Sequence, residues 1–342
     1  MTTRNLLRYF GIALVTIGAV WLGWAYFRHS TGADSSSAAS TKPIRKLRVQ
    51  LKWLHQVQFA GFYVARDKGY FQKQGLDVTL VQGGPGNNAL TAVLSGVADV
   101  GVWGSEQVLI NRAAGKPVKA IGVIYQDSAA CWMVRANSPV SSLRDVTTQT
   151  IGVQAEGTDF DILYKAMLSK LGINRTKLKE RQVDFNLTLF TSGQVDVWPS
   201  YVTNEPFTME SQHIDVRCIK PADSGIGFYG DTVLASDATL HDRESDLRDF
   251  MWALVEGWNY ALGHIEEAVD ITLKWNKDLS RASQLHMMQQ SVSLIRPAGH
   301  DQLLRMDSRR WEGMEDILIG VGLMQKKLNL DEAFTNALLP LP

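Results

Sequence analysis

Apolar and polar residues alternate along Leu47-Arg48-Val49-Gln50-Leu51, the two-residue period of a half-buried strand. A helical stretch follows over about residues 59–71. Gly75 closes that unit, and a second strand is predicted over residues 76–81. The turn Gly83-Gly84-Pro85-Gly86-Asn87-Asn88 leads into a helix over residues 89–94, and residues 97–103 form the next strand. Such alternation predicts a mainly parallel sheet with helices on both faces. Beyond residue 247 the pattern becomes helical. Phe250, Met251, Leu254, Trp258, Leu262 and Ile265 recur at three- and four-residue steps, the spacing of a core-facing stripe. Further helices are predicted over about 283–295 and 301–319.

The middle of the chain repeats itself. Ser95-Gly96-Val97-Ala98-Asp99-Val100 is echoed by Ser192-Gly193-Gln194-Val195-Asp196-Val197. Each copy follows an apolar helix and leads through a tryptophan (Trp103, Trp198) to a polar loop with a glutamate (Glu106, Glu205). A Ser-Gly pair alone is an ordinary helix C-cap before a strand. With the matched Trp and Glu it suggests two similar α/β lobes. Residues 47–140 are assigned to lobe one and 141–231 to lobe two. Residues 232–342 pack back onto lobe one, and two strands cross between the lobes as a hinge.

At the N-terminus Arg4 and Arg8 precede nineteen uncharged residues, 9–27, followed by Arg28. As a helix this run would be about 28 Å long, close to the roughly 30 Å hydrocarbon thickness. Trp21, Trp24 and Tyr26 sit towards its outer end, where amphipathic rings favour the interface. Residues 1–28 therefore read as a membrane anchor or signal segment, with the anchor favoured by length. Thr31-Gly32-Ala33 offers a cleavage site for the alternative, a secreted form. Residues 29–46 read as a Ser-, Ala- and Thr-rich tether. In both cases the body is expected in the periplasm or outside the cell.

Composition narrows the chemistry. The 342 residues carry 35 basic and 35 acidic side chains, so no basic excess is present to meet nucleic acid. Two cysteines, Cys131 and Cys218, are too few for a disulfide framework or a Cys-rich zinc site. The seven histidines lack metal-ligand spacing, and there is no nucleophile elbow, P-loop or dinucleotide fingerprint. No catalytic residue, metal or cofactor is expected.

Residues 53–78 include Phe59-Ala60-Gly61-Phe62-Tyr63-Val64-Ala65, Gly69-Tyr70-Phe71 and Gly75-Leu76-Asp77-Val78. Together with Tyr201-Val202-Thr203-Asn204-Glu205-Pro206 and Gly227-Phe228-Tyr229-Gly230-Asp231, this stretch resembles periplasmic solute-binding proteins of ABC transporters. The branch it resembles is related to thiamine-pyrimidine synthase, with nitrate- and sulfonate-binding proteins more distant. The resemblance implies a type II periplasmic-binding-protein fold, two lobes closing on a ligand, with an ABC permease and ATPase as partners. It also implies two other readings: an input domain for a separate signalling protein, and a synthase. Against the synthase, Phe59 occupies the position of the fungal enzymes' substrate histidine, and their cysteine-rich iron segment is missing.

Ligands in open α/β sheets bind beyond the carboxyl ends of strands. That rule brings six loops to the cleft: residues 83–88, 104–107, 126–131, 154–159, 200–205 and 224–231. None contains Lys or Arg, so a neutral to acidic site is expected. Its predicted aromatic walls are Trp53, Phe59, Trp103, Tyr125, Trp198, Tyr201 and Tyr229. Its predicted polar contacts are Asn87, Ser105, Glu106, Glu156, Thr158, Asn204, Glu205 and Asp231. Flat walls with carboxylates suit a planar heteroaromatic amine such as a pyrimidine precursor of thiamine.

Overall fold

The computed structural model describes residues 44–341. The predicted anchor and most of the tether lie outside the described residues. Among the described residues no helix is long and apolar enough to cross a membrane. The first strand begins at Arg45, inside the stretch read as tether. Ten strands follow in chain order: β1 (Arg45–Gln50), β2 (Leu76–Val81), β3 (Val100–Gly104), β4 (Val118–Val123), β5 (Ala130–Arg135), β6 (Thr150–Val153), β7 (Lys179–Gln182), β8 (Trp198–Tyr201), β9 (Val216–Ile219) and β10 (Asp231–Ser236).

Lobe one holds the sheet β2-β1-β3-β10-β4, in which β1 pairs in parallel with β2 and β3 while β10 runs antiparallel between β3 and β4. In lobe two, β5 lies antiparallel between β8 and β9, and β6 pairs in parallel with β7. A bridge between Ile151 and Val197 joins these pieces. The resulting order, β7-β6-β8-β5-β9, repeats that of lobe one position for position.

The sequence repeat has a physical basis in this symmetry. Gly96 and Gly193 end their helices at φ of 74° and 73°, conformations that suit glycine. Three residues later, Asp99 accepts the backbone N–H of Arg48 on β1 at 2.7 Å, and Asp196 accepts that of Thr150 on β6 at 2.7 Å. Each aspartate thus ties the strand that follows it to a neighbouring strand of its own lobe, β1 or β6. The tryptophans do not match. Trp103 lies four residues beyond its aspartate, at the carboxyl end of β3, whereas Trp198 lies two beyond, at the start of β8.

The lobes are joined by residues 124–129 and 220–230, which run side by side. Ile124 N–H donates to Asp231 O at 2.8 Å, Gly230 N–H to Tyr125 O at 2.8 Å and Ser128 N–H to Phe228 O at 3.2 Å. A Cβ at Gly230 would come within 2.7 Å of Tyr125 Cβ, so the close approach of the two crossovers requires glycine. Residues 132–134, assigned from sequence to lobe one, are part of β5 and belong to the second sheet. That placement brings together two cysteines 87 residues apart: Cys131 and Cys218 form a disulfide between the neighbouring strands β5 and β9.

Helices cover both sheets. In lobe one, α1 (Ala60–Asp67), α2 (Ala89–Leu94) and α3 (Ser105–Ala113) follow the first three strands, and α4 (Asp159–Leu171) follows β6 in lobe two. A short α5 (Glu205–Glu210) follows β8. The C-terminal part adds α6 (Glu244–Gly263), α7 (Ile265–Leu273), α8 (Arg281–Ile295) and α9 (Ser308–Gly320). Of the predicted stripe, Phe250, Met251, Leu254 and Trp258 are fully buried with Phe59, Phe62 and Tyr63, and Leu262 and Ile265 are partly buried against this core. This part does not pack on lobe one alone. On α8, His286 stacks on Phe207 of α5 at 4.5 Å, and α9 contacts both α3 and α4. From α9, Arg310 lies over the Tyr229 ring at 4.6 Å and bonds Asp127 at 2.6 Å, clamping both crossovers.

Candidate ligand-binding cleft

Between the lobes lies a cavity of about 580 Å³. The carboxyl ends of β1, β3, β6 and β8 supply its walls, with the crossovers at its base, as expected for an open α/β sheet. Trp53, Trp103, Tyr125, Phe160, Phe185, Tyr201, Phe228 and Tyr229 contribute aromatic surface. Trp53 of lobe one meets Phe185 of lobe two edge-on at 4.7 Å. Phe160 and Tyr201 lie 4.8 Å apart within lobe two.

The polar floor is built around Lys52, two residues beyond β1. Its ammonium pairs with Asp159, the first residue of α4, and lies 3.6 Å from Asp231, the first residue of β10. Lys52 and Asp159 belong to different lobes, so this ion pair crosses the cleft. Gln58 Nε2 donates to Asp231 Oδ2 at 2.6 Å. Glu106, in the first turn of α3, is 3 % exposed and has Asp159 as its carboxyl neighbour. A second bond crosses nearby, from Gln107 Nε2 to Gly157 O at 2.8 Å.

Burial and the neighbouring Asp159 push Glu106 well above the ordinary carboxyl range, against a smaller opposing pull from Lys52. Burial also acts to raise Asp159, but Lys52 and the neighbouring Glu106 outweigh it and hold Asp159 low. Asp231 is raised by burial against the pull of Lys52 and Gln58. Lys52 itself stays charged because its carboxylate neighbours outweigh its desolvation. The floor therefore carries one ammonium and three carboxyl groups, and has no surplus of positive charge.

Of the fifteen residues proposed from sequence, twelve line this cavity: Trp53, Asn87, Trp103, Glu106, Tyr125, Glu156, Thr158, Tyr201, Asn204, Glu205, Tyr229 and Asp231. Three do not. Phe59 is fully buried in the core of lobe one. Ser105 is buried and donates to Tyr229 O at 3.0 Å. Trp198 is buried against Phe190 at 6.4 Å, because its place at the start of β8 is too deep to reach the cleft.

Some lining groups are already engaged. Glu205 accepts from Tyr201 N–H at 2.8 Å, Ser200 Oγ at 3.1 Å and Asn204 Nδ2 at 3.1 Å, so it braces its own loop. Thr158 caps α4, and Glu156 pairs with Lys165 at the rim. Sequence reasoning missed Lys52, Gln58, Phe160, Phe185 and Met287. Lys52 falls in the loop after β1, which was left out of the six, and the expectation of a site without cationic side chains is corrected accordingly. Its position directly after an alternating strand was the available signal. Met287 arrives from the distant helix α8 and left no local sign.

The sequence profile described as NMT1/THI5 like matches residues 56–268, well over half of the chain. The protein belongs to this family. Over 321 residues it is 25 % identical to a riboflavin-binding protein, RibY, of Chloroflexus aurantiacus, covering 91 % of this chain and 90 % of that one. Over 311 residues it is 21 % identical to a formylaminopyrimidine-binding protein of Halalkalibacterium halodurans, covering 89 % and 93 %. The fold is similar to that of the periplasmic aliphatic sulphonate binding protein SsuA of Escherichia coli, with a TM-score of 0.66, 18 % identity and coverage of 85 % and 92 %. This NMT1/THI5-like chain thus has the periplasmic-binding-protein fold.

Proposed function

We propose that this protein is an extracytoplasmic receptor that closes its lobes on a planar, uncharged heteroaromatic of flavin size. It then presents that ligand to an ABC permease and its ATPase. The observation that carries this reading is the cavity of about 580 Å³ with aromatic walls and a charge-compensated floor. At the roughly 30 Å³ a water takes in the liquid, that volume equals about nineteen waters. A single-ring pyrimidine of about ten non-hydrogen atoms leaves much of it wet, whereas a fused tricycle with a polar tail fills it. Size thus favours the kind of ligand named for the Chloroflexus relative over the smaller pyrimidine expected from sequence.

The floor argues against sulfonates. Lys52 is the single cationic side chain lining the cavity among the described residues, and Asp159 and Asp231 already flank it. An anion would have to displace a buried carboxylate to reach it. Extracytoplasmic location is supported by the Cys131–Cys218 disulfide, a bond that persists in oxidising compartments, and by the apolar run at 9–27, read as an anchor. Binding without chemistry is supported by the binding-protein names of both relatives and by Phe59 lying in the core. The test is a thermal-shift screen with riboflavin, hydroxymethylpyrimidine and alkanesulfonates, since a ligand that binds only the folded state raises Tm by mass action. Riboflavin alone should stabilise; stabilisation by the sulfonates alone overturns the reading.

A further inference from the structure

Glu106 of lobe one and Asp159 of lobe two line the same cleft, where Lys52 crosses to Asp159 and Glu106 is only 3 % exposed. Two ionised carboxylates offer each other only acceptors, so bringing them together out of water favours a proton on one of them. Glu106 also carries an oxygen that no donor reaches. Its Oε1 is buried, meets no N–H or O–H, and packs where a Cβ on Gly104 would sit, 2.0 Å away. The cation at the site does not substitute for the proton, because Lys52 is committed to Asp159 and Asp231.

We infer that closing the two lobes takes up one proton, held between Glu106 and Asp159, so that the cleft closes more readily as the pH falls. The inference rests on the lobe-closing reading given above, but not on which ligand is bound. When the lobes part, Glu106 and Asp159 separate into water and Glu106 returns to the ordinary carboxyl range, releasing the proton to solvent. The titratable groups acting on Glu106 are Asp159 on α4 and Lys52 after β1, and Lys52 in turn meets Asp231 on β10 and Tyr201 on β8. Arg112, Asp237 and Glu332 form their own cluster at the far end of α3, and Arg310 of α9 is turned to Asp127. Burial raises Glu106, so the sign is fixed: the closed state binds more protons than the open state above the ordinary carboxyl range.

The consequence is a receptor that holds its cargo more tightly in an acidified exterior and loosens as the pH rises. It can be read without any ligand. Nitroxides on Val97→Cys in lobe one and Lys177→Cys in lobe two, both exposed and away from the cleft, report interlobe distance by pulsed electron spin resonance in the full chain. Between about pH 5 and 8 the ratio of closed to open protein should fall by up to tenfold per pH unit. In Glu106→Gln the amide donates to Asp159 without a titrating proton, so closure should persist and lose its pH dependence. Asp159→Asn should flatten the profile too, and infrared spectra should show a carboxylic-acid C=O band in the wild type that Glu106→Gln lacks. Distances that do not change with pH in the wild type, or a pH dependence that survives in Glu106→Gln, overturn the inference. Failure of riboflavin to bind would instead count against the ligand class and leave this result standing.

Discussion

Replacing Lys52 with Met removes the cation but keeps an unbranched stem of similar length. The loss strands Asp159 and Asp231, whose side chains are 19 % and 7 % exposed. Removing one partner of a fully buried ion pair costs about 3–5 kcal/mol. The site falls short of that limit, because Lys52 is 15 % exposed and the lobes can part to hydrate the stranded carboxylates. We therefore expect a loss of about 2 kcal/mol at neutral pH, roughly thirtyfold in the folding equilibrium. The loss should depend on pH. Lys52 holds Asp159 below the ordinary range, so that contribution is present above an ordinary Asp pKa and disappears as the pH falls through the depressed value. In Lys52→Met the stranded carboxyls shift up and protonate earlier, so the gap between wild type and variant should narrow from about pH 7 towards pH 4. Urea unfolding at several pH values reads it. A gap below about 0.5 kcal/mol at pH 7, or one that stays constant with pH, would refute the assignment of Lys52 as the buried counter-ion.

Trp103→Ala removes an aromatic wall and should weaken riboflavin binding by about 1–3 kcal/mol, five- to a hundredfold or more, with little change in Tm; equal affinity by titration would place the ligand elsewhere. Replacing Cys131 and Cys218 together by Ala should cost about 2–4 kcal/mol, and reductant should lower the wild-type Tm by a similar amount but leave the double variant unmoved. Alkaline carbonate extraction should leave the full-length chain in the membrane pellet, as expected of an anchor at 9–27, whereas a soluble product starting near Asp34 would show cleavage.

The lobe repeat was legible because Gly96 and Gly193 need their backbone conformation and Asp99 and Asp196 make the same strand contact. Such local requirements leave local marks. The pairing partner of a strand leaves none: 130–135 reads as a strand, but whether it joins the first or second sheet is decided by contacts with β8 and β9, more than sixty residues on. The disulfide was hidden for the same reason. Trp198 and Trp103 looked equivalent because each follows an Asp-Val step, yet a two-residue offset along a strand separates a core position from the cleft. Acidic residues at strand ends and helix starts were found by position alone. Lys52 escaped because its loop was not counted, and its effect on Asp159 exists only when the lobes meet.

The central claim is that the cleft selects a neutral fused-ring aromatic over an anion. Isothermal titration calorimetry of the ligand-free, full-length protein with riboflavin, repeated with an alkanesulfonate, tests it most directly. One riboflavin should bind per chain, with an affinity reduced in Trp103→Ala, and the sulfonate should give no heat of binding. Saturable one-to-one binding of the sulfonate with none of riboflavin would contradict it.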